Sequence, residues 1–254
     1  MSRHRGAKAR ARRLSLPGLG LALLTALAAA LAGLGYRWGL WDFGAGFQIL
    51  RWAAYLGAGA AAMSACVWIY ALLLRSGSGL LLAGLAMVIG VGSAAVPWSY
   101  LRKARDLPPI HDISTDTEVP PRFVALLSAR TGAGARSDYG GPSVAAQQLK
   151  AYPELGPATT RLPPDRVFER ALGIARDLGW SIVAAVPDEG RIEASDRSFW
   201  FGFTDDVVVR IRSHQSGSLV DIRSASRAGV GDLGVNAARI QTFIDRLVEG
   251  SLGP

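Results

Sequence analysis

The chain has 254 residues and a formal net charge of +8, a length that suits one membrane region and one ordinary domain. The charge is uneven: residues 1–103 hold 11 Lys and Arg against the single acid Asp42, whereas residues 104–254 hold 17 against 19 acids. Because the basic excess belongs to the apolar part of the chain, where it sets membrane orientation, we do not expect a nucleic-acid partner.

Three apolar runs predict a transmembrane region over residues 14–101. They cover 14–35, 52–74 and 80–100, each about 20 residues, the length that crosses a hydrocarbon core of about 30 Å. The first run is too long for a signal peptide and further apolar runs follow it, so we expect it to be retained. The basic segment 1–13 before it predicts a disordered cytoplasmic tail.

Positive charge predicts the orientation of the chain. Residues 3–13 contain six Lys and Arg, which should stay in the cytoplasm, so three spans place the C-terminal part on the periplasmic side of an inner (plasma) membrane. Arg102, Lys103 and Arg105 after the third run oppose this orientation, but the larger N-terminal cluster should dominate. The bilayer is the expected partner of these helices.

The three apolar runs contain no Asp, Glu, Lys or Arg. A proton or ion pathway normally needs such a group inside the membrane. The small residues in the runs, such as Ala58, Gly59 and Ala60, instead indicate close helix packing. An anchoring role is therefore favoured over the alternative of a transport-associated protein.

The C-terminal part, residues 107–250, predicts an α+β fold. Helical periodicity covers 164–178 and the last helix begins near Asp232, with a shorter helix pattern at 122–130. Strand patterns occur at 180–186, 191–195, 199–203, 207–212 and 219–225. Turns between successive strands favour an antiparallel sheet of four to five strands with helices packed on it.

Alternation along two of these strands predicts one specific contact. Val207, Val209 and Ile211 share a face, which leaves Arg210 and Arg212 on the other. If this strand pairs with 219–225, Asp221 should lie near Arg210 or Arg212.

Four motifs resemble a known family. They are PPIHDISTD at 108–116, VPPRF at 119–123, DDVVVRIR at 205–212 and VDIRSASRAGVGDLGVNAARI at 220–240. Together they are similar to the bacterial and plastid proteins called domain of unknown function 1499, over nearly all of 107–248. The resemblance implies a domain boundary near residue 107 and an envelope location, but no activity or ligand.

The stretch Ser224–Ile240 is the strongest candidate for a binding site. Arg227, Asp232, Asn236 and Arg239 are crowded there among glycines at the predicted start of the last helix. Backbone N–H groups at a helix start, with arginines nearby, suit a carboxylate or phosphate. The structural alternative is that Asp232 caps the helix and Arg227 pairs with Asp232 or with an acid of the sheet.

His111, Asp112 and Asp116 form a second candidate segment. They could contribute to a polar or metal site, as could Asp205 and Asp206, but their spacing matches no known ligand pattern and turn formation explains them as well. Ser114 beside His111 is a weak candidate nucleophile, and the aromatic run 199–203 could line an apolar pocket.

Two hypotheses about function remain open. The first is a non-catalytic membrane-anchored protein that displays a binding or interaction domain, with an envelope protein or a small ligand as its partner. The second is an envelope enzyme whose polar site joins 226–239 to 111–116. We expect no catalytic residue, no metal and no cofactor, because the sequence contains no catalytic, phosphate-loop or zinc-binding pattern.

Overall fold

The computed structural model of the chain describes residues 2–249, which divide into two compact units. The first unit contains three long N-terminal helices together with the short segment Phe199–Gly202. The second contains the sheet and the remaining helices.

The first unit is built from α1 (Ser2–Arg37), α2 (Phe43–Leu73) and α3 (Gly77–Asp106). Each contains a segment that is long and apolar enough to cross a membrane, over 6–37, 43–73 and 77–106, as predicted. The prediction of disorder for residues 2–13 is wrong, because α1 begins at Ser2. Arg, Lys and Ala are good helix formers, and this segment extends a helix that the apolar run already forms.

Small residues bring the long helices close together. A Cβ atom added to Gly90 of α3 would lie 2.6 Å from the carbonyl oxygen of Gly57 in α2, and one added to Gly57 would lie 2.8 Å from Ser93 Cβ. Such close backbone approach is how apolar helices associate in lipid.

Within residues 104–198 and 203–249, the described part of the second unit, one antiparallel sheet has six strands, so the predicted α+β class is confirmed. The strands are β1 (Asp112–Ser114), β2 (Ala158–Thr160), β3 (Ser181–Val186), β4 (Arg191–Arg197), β5 (Thr204–His214) and β6 (Gly217–Ser226). Their order is β1-β6-β5-β4-β3, and β2 also pairs with β6. The sheet exceeds the predicted four to five strands because β1 and β2 are three residues long, too short to show alternation.

In the part of the second unit that the structure describes, four α-helices accompany the sheet: α4 (Leu127–Gly132), α5 (Pro142–Ala151), α6 (Pro164–Asp177) and α7 (Val235–Glu249). Helices α6 and α7 pack on one face, where Val207, Val209 and Ile222 of the sheet meet Phe243 of α7 in the apolar core. Helix α5 was not predicted, since it begins inside a stretch rich in Gly, Ser and Pro.

The opposite face of the sheet is covered by residues 116–137, which we call the cover segment. Arg210 donates to the carbonyl oxygen of Val119, and Arg223 donates to those of Pro121 and Ser137. Phe123 and Leu126 of the cover segment form a small apolar cluster with Val208 and Ala225. Glu193, Asp206 and Arg223 of the sheet are buried on this face.

The aromatic run between β4 and β5 is a turn, not the extended strand that the sequence predicted. Its residues Phe199–Gly202 belong to the unit of long helices, where the indole nitrogen of Trp200 donates to Ala30 O at 3.0 Å. The ring of Phe201 lies 5.2 Å from that of Phe47. A Cβ atom at Gly33 would lie 2.5 Å from Trp200, so this glycine makes room for the turn.

Candidate functional site

The two faces of the sheet separate the predicted site residues into different clusters. Asp205 of β5 pairs with Ser226 of β6, whereas the next residue, Asp206, pairs with Ala225. Successive side chains of a strand point to opposite faces. Asp205 therefore lies on the helix face and Asp206 lies under the cover segment.

Asn236 is the centre of the cluster on the helix face. It is fully buried at the start of α7, and its side-chain oxygen accepts from Ser224 Oγ and from Arg239 Nη1, both at 2.6 Å. Its side-chain nitrogen donates to His111 O and Ser226 Oγ, both at 3.0 Å. These four bonds use the full capacity of the amide.

Arg239, one turn further along α7, neutralises two acids of the sheet. Its guanidinium donates to Asp196 at 2.7 Å and to Asp205 at 2.8 Å, as well as to Ser224 Oγ. Its side chain is only 8% exposed. An incoming anion would therefore have to displace two carboxylates that already hold this arginine.

Asp232 binds the backbone at the start of α7, as the structural alternative predicted. Its carboxylate accepts from the N–H groups of Gly234 at 2.9 Å and Asn236 at 2.7 Å. Burial raises the pKa of Asp232 above its ordinary value, although these two bonds act in the opposite direction. The backbone donors that an anion would need are thus already occupied.

Arg227 pairs with an acid of the sheet on the other face. Its Nε and Nη2 atoms donate to the two oxygens of Asp206, each at 2.8 Å. Asp206 is fully buried and also accepts from Ser195 at 2.7 Å and from the buried Arg130 at 2.9 Å. Burial alone would raise the pKa of Asp206, but the bonds from Arg227 and Ser195 and the two positive charges outweigh it, so that pKa is lowered.

Asp112 lies on the cover face and holds Arg223. The guanidinium donates to both carboxylate oxygens, at 2.8 and 2.9 Å, and is 4.8 Å from the centre of the Phe123 ring. Arg130 stacks on the same ring at 4.5 Å. Phe123 therefore lies against two buried guanidinium groups.

Asp116 belongs to a third cluster with the arginines of β5. It accepts from Arg210 at 2.9 Å, and Arg210 and Arg212 both donate to the buried Asp221 at 2.8 Å. The predicted contact of Asp221 with these two arginines is confirmed.

The segments 111–116 and 226–239 do meet, but through strand pairing and the Asn236 amide. The N–H of Ser226 donates to His111 O at 2.9 Å, and β1 pairs with β6 from Asp112 to Ser114. Of the predicted site residues, His111, Asp232, Asn236 and Arg239 come together. Arg227, Asp112 and Asp116 lie in the other clusters.

Comparison with known families identifies the second unit. Residues 112–247 match the family described as "Protein of unknown function (DUF1499)", which is more than half of the chain. The chain belongs to the DUF1499 family. The match begins at β1 and ends within α7, so it includes all the polar clusters of the sheet. A comparison with curated proteins found no match.

The DUF1499 domain also contains buried charges that the sequence analysis missed. Glu193 of β4 is fully buried, and its carboxylate accepts from the backbone N–H groups of Val124, Ala125 and Leu126 at 2.9–3.1 Å. Arg191 also donates to it. Glu193 thereby fastens the cover segment to the sheet. Its partners in the cover segment lie 67–69 positions away, beyond the reach of any local pattern.

Proposed function

We propose that this protein is a membrane-anchored member of the DUF1499 family whose α+β domain is a non-catalytic binding or interaction module on the periplasmic side. The observation that carries the proposal is that the arginines, the carboxylates and the amide suggested for a reactive site are held by internal partners. Asn236, Arg239 and Arg227 each bond a carboxylate, an amide or a hydroxyl of their own domain. A group committed in this way is poorly suited to acid–base or nucleophilic chemistry.

The outer side of the cover segment supports an interaction role. Val119, Val124 and Leu127 expose 62%, 56% and 44% of their surface there, while the neighbouring Phe123 and Leu126 are buried. Exposed apolar side chains close together in the chain suit contact with another protein. Glu193 holds the backbone under Val124 in place, so the surface is preorganised for a partner.

The distribution of positive charge supports a periplasmic location of the domain. Three candidate spans separate the basic start of α1 from the domain, and the six Lys and Arg of residues 3–13 favour retention of that start in the cytoplasm. With that start in the cytoplasm, an odd number of spans is consistent with a domain on the periplasmic side.

Photo-crosslinking in cells tests the interaction role. A benzoylphenylalanine side chain at Val119, Val124 or Leu127 should give a discrete crosslinked product. The same group at Arg166 or Glu169, which are exposed on α6, should give none. Equal products from both sets, or none from either, would contradict the proposal. The enzyme hypothesis would be favoured instead if the Asn236→Ala variant failed to complement a strain that lacks the protein while its domain stayed folded.

A further inference from the structure

The N-terminal end of the helix bundle contains a basic concavity. It has a volume of about 480 Å³, which lies within the usual range for a ligand site. The surrounding residues come from α1 and from the start of α3: Lys8, Ala9, Arg12, Arg13, Leu16 and Ser78. Three of the six are cations, and the other polar residue is a serine in the first turn of a helix.

The walls of this concavity are fixed to each other by hydrogen bonds. Ser76 Oγ donates to Lys8 O at 3.2 Å, and Ser15 Oγ donates to Gly79 O at 3.2 Å. A Cβ atom at Gly79 would lie 3.2 Å from Ala11 Cβ, so α3 begins in close contact with α1. The three cations therefore lie where α1 and the start of α3 are held together, so their positions are fixed before a ligand binds.

The positive charge at this end is not neutralised by the unit itself. Asp42 is the only acid among residues 1–103, and it caps the start of α2, next to the opposite end of α1. The first N–H groups of α3 also point out of the helix at this end, where the helix dipole favours an anion. The missing negative charge must come from outside these helices.

The depth of the concavity in the membrane indicates which class of ligand could reach it. Arg13 directly precedes the apolar run that begins at Leu14, so the cations lie at the level of lipid headgroups. Leu16 lines the same concavity and is half exposed, which provides an apolar contact beside the cations. A phosphate group attached to an acyl chain matches both features.

We propose that this concavity, bounded by Lys8, Arg12, Arg13, Leu16 and Ser78, is a binding site for the phosphate headgroup of an anionic phospholipid. Lys8, Arg12 and Arg13 bind the phosphate, the first turn of α3 donates N–H groups to it, and Leu16 contacts the start of the acyl chain. The site ties α1 and α3 together through the lipid.

Binding of acyl-labelled phosphatidylglycerol to the full-length protein in neutral detergent tests the site. The triple variant Lys8→Gln, Arg12→Gln, Arg13→Gln should bind roughly a hundredfold more weakly, because each basic side chain near a charged membrane surface contributes about fivefold. The matched variant Arg102→Gln, Lys103→Gln, Arg105→Gln removes the same charge near the other end of the bundle and should bind like the wild type.

Two further binding measurements distinguish a specific site in the concavity from nonspecific electrostatic attraction of the lipid. Ser78→Trp fills the concavity while keeping every charge, so it should weaken phosphatidylglycerol binding about tenfold or more. Labelled phosphatidylethanolamine should bind at least about tenfold more weakly than phosphatidylglycerol. Gel filtration and thermal unfolding of each variant establish that the bundle is intact, and Lys8→Arg with Arg12→Lys and Arg13→Lys should retain binding.

Four results would overturn the proposal. Equal weakening by the two triple variants would show attraction by net charge alone, and unchanged binding by Ser78→Trp would show that the concavity is not the site. Equal affinity for the two lipids would remove the role of the anionic headgroup. Displacement of the lipid by inorganic phosphate, but not by chloride at the same ionic strength, would indicate a site for free phosphate.

Discussion

Arg223 of β6 donates two parallel hydrogen bonds to Asp112, which lies 111 positions earlier in the chain on the neighbouring strand β1, where it pairs with Ala225. The arginine is 1% exposed and Asp112 is 9% exposed. Two charges taken out of water lose their hydration, and removing one of them leaves the other buried without a counter-charge. This bond therefore ties the beginning of the DUF1499 domain to its last strand, and it leads to the first prediction.

Replacing Arg223 by methionine should lower the free energy of unfolding of the domain by about 3–5 kcal/mol, because it leaves the Asp112 carboxylate buried without a counter-charge. Urea titration of the full-length protein with a pulse of protease measures this change. Arg166→Met removes an arginine that is 67% exposed and should cost less than about 1 kcal/mol. Equal effects of the two variants would show that the buried pair has no special role.

Glu193→Ala should release the cover segment. The carboxylate accepts the backbone N–H groups of Val124, Ala125 and Leu126, so its loss leaves these donors unpaired. Hydrogen exchange of a peptide spanning 123–132 should become about ten to a hundred times faster, while peptides from α7 keep their rates. Glu169→Gln on the exposed face of α6 serves as control, and unchanged exchange in 123–132 would contradict the role of Glu193.

The stability of the domain should depend on pH through the carboxylate of Asp206. Its pKa is lowered in the folded protein, so its bonds stabilise the fold above the ordinary carboxyl pKa of about 3.9 and are lost as the pH falls through the lowered value. Asp206→Asn should therefore be less stable at pH 7 but lose less further stability on acidification. Urea titrations at several pH values measure this, with the exposed Asp188→Asn as control. Parallel curves for wild type and Asp206→Asn would contradict the assignment.

The position of the aromatic turn should depend on the absence of a side chain at Gly33. A side chain at this position would overlap Trp200 and Phe201, since a Cβ atom would lie 2.5 Å and 2.9 Å from them. Gly33→Val should displace the turn and increase chymotrypsin cleavage after Trp200 and Phe201 by about tenfold. Gly20→Val, where a Cβ atom meets nothing within 4 Å, should not. Similar cleavage of both variants would mean that the turn does not need the space left by Gly33.

Local patterns predicted those parts of the fold whose causes are local. Hydropathy located three candidate spans, and alternation along 207–212 and 219–225 placed Asp221 beside Arg210 and Arg212. The capping role of Asp232 also follows from its position before α7. In each case a single helix or strand pair decides the contact.

Other contacts that organise the polar clusters depend on distant residues and were not predicted. Arg130 meets Asp206 across 76 positions, and the sequence around Arg130 suggests only a short helix followed by a loop. The anion-site candidates lie in separate clusters for a related reason. Arg227 and Arg239 both follow β6, but one turns to Asp206 under the cover segment and the other to Asp205 on the helix face.

The orientation of the chain is measured most directly with paired reporters, alkaline phosphatase and green fluorescent protein, each fused after Pro254 and, as a control, after Arg75 between α2 and α3. With the proposed orientation, in which the basic start of α1 is cytoplasmic, we expect active phosphatase and no fluorescence for the fusion at Pro254, and the reverse for the fusion at Arg75. Fluorescence without phosphatase activity at Pro254 would contradict it.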